Sequence, residues 1–92
     1  MDVLVLKLVS GEEVVARKEN ESGDGGIVVS KPRVLKIMQT DEGMGAALMP
    51  LFMAAPDLDE VWIDYHSIIA VIDCPVEMEK SYLRQTSGIV LQ

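Results

Sequence analysis

Runs of β-branched and aliphatic residues, each closed by a turn bearing glycine, proline or paired acids, succeed one another roughly every 8 to 12 residues along most of this chain. That rhythm leaves no room for the crossover helix that joins parallel strands. It calls for a sheet of short antiparallel strands, strongly bent or closed. Residues 3–9 (VLVLKLV) open the pattern, with Leu4, Leu6 and Leu8 on one face and Val3, Val5 and Val9 on the other. Residues 10–13 (SGEE) turn the chain, Gly11 being able to take a positive φ, and 14–20 return as a hairpin partner. Residues 21–26 form a polar, glycine-rich connection, and no Lys-Ser/Thr follows to make it a phosphate cradle. Residues 27–40 read as a long strand in which Pro32, lacking a ladder donor, predicts a bend, bulge or edge position.

A turn at 41–43 (DEG) leads to 44–55 (MGAALMPLFMAA). This segment reads as a strand, because Pro50 inside a helix would cost about 3 kcal/mol. After an acidic turn at 56–60, two short strands, 61–65 and 68–73, flank a tight corner at His66-Ser67. Residues 76–85 (VEMEKSYLRQ) follow Pro75, carry Glu77 and Glu79 early and Arg84 late, and predict a helix. Its Met78, Tyr82 and Leu83 share the side that packs on the sheet. Gly88 ends it before an apolar tail at 89–91.

Ninety-two residues make one domain, with the sheet in 1–74 and the helix and tail of 75–92 packed on it. One cysteine, Cys74, excludes an internal disulfide framework and suits a reducing compartment, which points to the cytoplasm. Lys7 interrupts the first apolar run, so it does not read as a secretory signal. No stretch reaches the ~20 apolar residues of a membrane span. Hydrophobic residues make up 49% of the chain, yet a domain this small buries only about 60–65% of its unfolded surface. Apolar side chains therefore remain outside, and self-association is expected.

Two stretches resemble a known family. Residues 8–16 (LVSGEEVVA) resemble the first motif of Sm-like proteins, a hairpin of the form apolar-x-x-Gly-x-x-apolar-x-small. Residues 61–72 (VWIDYHSIIAVI) resemble the second, two short strands joined by a sharp corner. His66 stands where the bacterial Sm-like RNA chaperone has the histidine of its Tyr-Lys-His-Ala corner. The Pro-containing third strand and C-terminal helix are most similar to Sm-like proteins of marine bacterial viruses. The resemblance implies a mainly all-β fold: a small, strongly bent, five-stranded antiparallel barrel with a short C-terminal helix.

It further implies a homo-oligomeric ring in which the fourth strand of one subunit, here 44–55, pairs with the fifth of its neighbour, here 68–73. Leu48, Met49, Leu51, Phe52, Met53, Ile68, Ile69 and Val71 are then the candidate interface residues. The implied ligand is nucleic acid, single-stranded RNA or DNA, in RNA or DNA processing in the cytoplasm, the host's if the chain is viral. Asp24, Tyr65 and His66 occupy the positions of the family's base-binding pocket. Asp24-Gly25-Gly26-Ile27 keeps the family's aspartate without its stacking side chain or amide, and Asp64-Tyr65-His66 keeps the histidine without its basic neighbour.

Charge is divided unevenly. Residues 1–36 balance six basic against six acidic side chains, whereas 37–92 carry two and nine. Lys31 and Arg33, with Lys36, Lys7, Arg17 and Lys18, are the candidate phosphate contacts; the alternative is that they solubilise strand edges. His66 likewise either faces bases or satisfies backbone groups at its corner. No enzyme is expected: Cys74 and His66 lie a full strand apart, and a buried cysteine is ordinarily a small hydrophobe. Asp64 and His66 supply only two of the three or four ligands a metal needs, so neither metal nor cofactor is expected. Met44, Met49, Met53 and Phe52 form an apolar stripe read as core or subunit contact. The competing function is a ring that serves as a structural or protein-interaction module without nucleic acid.

Overall fold

The computed structural model describes residues 3–22 and 24–87. The predicted tail at 89–91 lies outside them. Six strands precede one helix: β1 (Val3–Leu8), β2 (Glu13–Ser22), β3 (Gly26–Thr40), β4 (Gly43–Pro50), β5 (Glu60–Asp64), β6 (Ile68–Asp73) and α1 (Val76–Thr86). They form one open antiparallel sheet in the order β4-β3-β2-β1-β6, with β5 also paired to β3. The mainly β fold with a C-terminal helix is as expected; the strand count is six rather than five.

Alternation along β1 accounts for the layering. Leu6, with the partly buried Leu4 and Leu8, joins Val14, Ala16, Ile27, Val29 and Val34 on one face. Leu51, Val61, Ile63 and Ile68 pack against the same cluster, so every strand except β4 contributes to it. Val3 and Val5 point the other way and meet Val15 and Tyr82, with Met78 and Leu83 of α1 beside them. The sheet thus curls around one core while the helix covers its opposite face. The helical side predicted from Met78, Tyr82 and Leu83 is the one that packs.

Strand β3 changes partner midway. Gly26 to Ser30 pair with β5, and Arg33 to Thr40 pair with β4. The changeover falls at Lys31-Pro32, where the ladder to β2 also slips: Val15 faces Arg33 while Arg17 faces Ser30. Lys31 takes a φ of 49° there, a conformation that non-glycine residues rarely adopt. The bulge expected at Pro32 is therefore present, and it decides the fate of the next segment.

The expected strand at 44–55 stops at Pro50. The Leu51 N–H still reaches the Pro32 carbonyl at 3.3 Å, and the Lys31 N–H donates to the Asp59 carbonyl at 2.8 Å. Residues 51–59 leave the sheet between those two bonds as a looped excursion. The bulge turns β3 away, so one continuous partner strand cannot follow it.

Tyr82 plugs the bulge. Its hydroxyl accepts the Arg17 N–H at 3.1 Å and lies 2.9 Å and 3.0 Å from the carbonyls of Ser30 and Lys31, which share its one proton. The side chain is 1% exposed, and burial pushes the phenol above its ordinary pKa. Replacing Tyr82 by Phe leaves these backbone groups without their partner. We expect a loss of about 1–3 kcal/mol, read as a lowered urea midpoint with an unchanged m-value. An unaltered midpoint would show that the bulge closes without the hydroxyl.

Candidate functional site

The corner between β5 and β6 is a single 3₁₀ turn, Tyr65–Ser67. Asp64 caps it: its carboxylate accepts the His66 N–H at 2.8 Å and lies 2.9 Å from His66 Nδ1. Ser67 Oγ donates to the Asp64 carbonyl at 2.7 Å. The His66 amide, and then its ring, hold the Asp64 carboxyl below the ordinary 3.8. The acid beside the histidine therefore builds the turn, as aspartate does at helix starts. The His66 side chain itself is 98% exposed.

The same corner is tied to the β2–β3 connection. Gly26 pairs with Asp64 in the ladder, and the Tyr65 N–H donates to the Gly25 carbonyl at 2.9 Å. Asp24, Tyr65 and His66, chosen from distant parts of the sequence, are thus brought to one end of the sheet. The structure adds Trp62 from β5. A Cβ on Gly26 would overlap the Trp62 indole, so the ring lies against this glycine's backbone while 46% of the residue remains exposed. The sequence next to Asp24 holds no aromatic residue, but the neighbouring strand sets the Trp62 ring against Gly26. The available signals were the chain's sole tryptophan, three residues before Tyr65, and the paired glycines at 25–26.

Lys31 and Arg33 belong elsewhere. Lys31 lies five residues along β3 from Gly26, about 16 Å at the usual rise per residue. Its Nζ is 3.0 Å from Asp59 Oδ1. Arg33 donates from Nε to Gln85 and from Nη1 to the carbonyls of Pro32 and Pro56. Both cations fasten the 51–59 excursion, and Arg33 also joins it to α1.

The interface candidates divide in two. Leu48, Leu51 and Ile68 are partly buried against the protein's own clusters, whereas Met49, Phe52, Met53, Ile69 and Val71 are exposed. Among the described residues β6 pairs only with β1 and β5 only with β3, so each presents an outer edge. The corner joins β5 to β6, as expected from residues 61–65 and 68–73, while the 44–55 segment lies at the far end of the sheet as β4 and the loop that follows it.

Cys74 and His66 flank opposite ends of β6. Desolvation and the charge of Glu79 raise the Cys74 thiol above its ordinary pKa, which disfavours the thiolate. No cluster of three metal-ligating side chains occurs among the described residues. No helix among them is long and apolar enough to cross a membrane. Neither a family model nor a curated protein matches the chain.

Two outcomes test the corner. Gly26→Ala should displace the indole and shift Trp62 emission to longer wavelength with the far-ultraviolet spectrum retained; unchanged emission refutes the contact. Because folding lowers the Asp64 pKa, its cap contributes above the unfolded value of 3.8 and is lost as pH falls through the lower folded one. The His66 amide resonance should accordingly titrate with a midpoint below 3.8.

Proposed function

We propose that the chain is the subunit of an Sm-like homo-oligomeric ring that binds single-stranded nucleic acid, RNA foremost, at the corner. The observation that carries this reading is that the Tyr65–Gly25 hydrogen bond and the seating of Trp62 on Gly26 bring the chain at Asp24, Trp62, Tyr65 and His66 to one end of the sheet. Three exposed ring systems offer faces on which unpaired bases stack, and stacking tolerates any base. Asp24 stands at the position of the family's base-pocket aspartate. The hairpin and corner motifs support the Sm-like reading, as does the return of β6 to pair with β1. The outer edges of β5 and β6 supply the backbone groups for pairing between subunits, with Ile69 and Val71 as the apolar side chains covered. The ligand's role is in RNA or DNA processing, and the protein transforms nothing chemically.

A second reading has its own support. Lys31 and Arg33 are committed to contacts within the chain, and the formal charge is −7. Both weaken attraction to phosphate and favour a ring that serves as a structural or protein-interaction module.

Quenching of Trp62 by uridine- and adenine-rich oligonucleotides separates the two. The nucleic-acid reading expects saturable quenching with only a shallow salt dependence, since stacking rather than phosphate contact carries the affinity. Tyr65→Ala or His66→Ala should weaken binding about 5- to 100-fold, as expected for loss of one stacked base. Absence of binding to either oligonucleotide at low salt rejects it and leaves the second. A monomeric mass at micromolar concentration contradicts both rings.

A further inference from the structure

The distal parts of β3 and β4 form a two-stranded arm. Residues 36–40 are all exposed, as are Gly43, Met44 and Ala46, and β4 pairs only with β3 among the described residues. An isolated two-stranded ribbon is at best marginally stable in water. This one also carries Ile37 (61% exposed), Met38 (48%) and Met44 (71%). The outer edge of β4 reads Gly-Met-Gly-Ala-Ala-Leu-Met-Pro, with no charged residue in eight. The open edges of β5 and β6, by contrast, carry acid: Glu60 and Asp64 in β5, Asp73 in β6. Long, flat, uncharged edges pair with other strands. For two molecules of charge −7, this neutral edge is where close approach costs least electrostatic repulsion.

We propose that the β4 edge pairs antiparallel with β4 of a second copy of this chain, the two arms clasping about a two-fold axis at Ala46. Facing residues in a continuous sheet must share a face, so a two-fold axis normal to the sheet centres on a residue rather than between two. With Ala46 opposite itself, Met44 of each copy falls opposite Leu48 of the other. Met44, Ala46 and Leu48 share one face of β4, and Leu48 packs in the cluster under α1. Beside it lies an open groove of 610 Å³ lined by Leu35, Ala46, Leu48, Met49 and Met78, among others. The arm tip of one copy thereby delivers the exposed Met44 side chain to the apolar groove at the foot of the other. The contact uses neither β5 nor β6, so it does not depend on the proposed ring; where the ring forms, it joins one ring to another.

The test is covalent capture. In a Cys74→Ser background, Ala46→Cys places two thiols across an antiparallel pair whose Cβ atoms lie about 4.5–5.5 Å apart. Mild oxidation should give covalent dimers at least about tenfold faster than Asp57→Cys in the same background, because Asp57 lies in the exposed 51–59 excursion. Ala46→Lys, which puts a charge on the edge while keeping a fold verified by circular dichroism, should reduce the native mass to half that of the parent or less. Val71→Lys, directed at the β6 edge, should leave the Ala46→Cys capture intact even if it dissolves the ring. Equal capture rates for the two cysteines, or an unchanged mass for Ala46→Lys, overturn the proposal.

Discussion

One phenolic hydroxyl holds the architecture at its weakest point. Where β3 carries an extra residue against β2, the ladder slips between the Val15–Arg33 and Arg17–Ser30 pairs, leaving the Arg17 N–H and the Ser30 and Lys31 carbonyls to a side-chain partner. Tyr82 OH meets all three. Burying such groups unpaired costs more than an ordinary hydrogen bond returns, so α1 is part of the sheet's own bonding rather than a cover added to it. The bulge in turn ends β4, releases the 51–59 excursion and sets where β5 begins. Lys31 and Arg33 lash that excursion down, which is why cations expected on a ligand surface are found making internal contacts.

The corner shows the same economy of parts. Asp64 looks misplaced if His66 is considered only as a ligand contact, since a neighbouring acid opposes an anion. As the cap of a one-turn 3₁₀ segment it is in place: it accepts the His66 amide and leaves the imidazole facing solvent. Gly26 has a comparable role from the other side, because its missing Cβ makes room for Trp62. The proposed base-binding role accordingly rests on rings and acids, since Lys31 and Arg33 are engaged at the 51–59 excursion away from the corner.

The open edges divide according to charge. Those of β5 and β6 carry acids at their ends, whereas that of β4 carries none. In an acidic chain with this much exposed aliphatic surface, net charge opposes association, and the proposed contact between arms falls where charge is absent. The two proposed edge contacts, one within a ring and one between arms, are compatible because they use different strands.

Much of the fold was legible in the residues alone. The two-faced burial of β1, the hairpin at Gly11, the bulge at Pro32, the corner at His66-Ser67 and the packed side of α1 all follow from local periodicity and backbone chemistry. These depend on neighbours within a turn or two, and adjacent residues specify them. The end of β4 at Pro50, the partnering of Tyr82 with the bulge and the seating of Trp62 on Gly26 were not legible. Each joins segments 18 or more residues apart, through a ladder slip or an absent Cβ that no periodicity records. Local pattern determined which segments are strands and which side of each is apolar; only the closing of long-range backbone hydrogen bonds decided which strand ends where, which cations are already spoken for, and which rings meet at one corner.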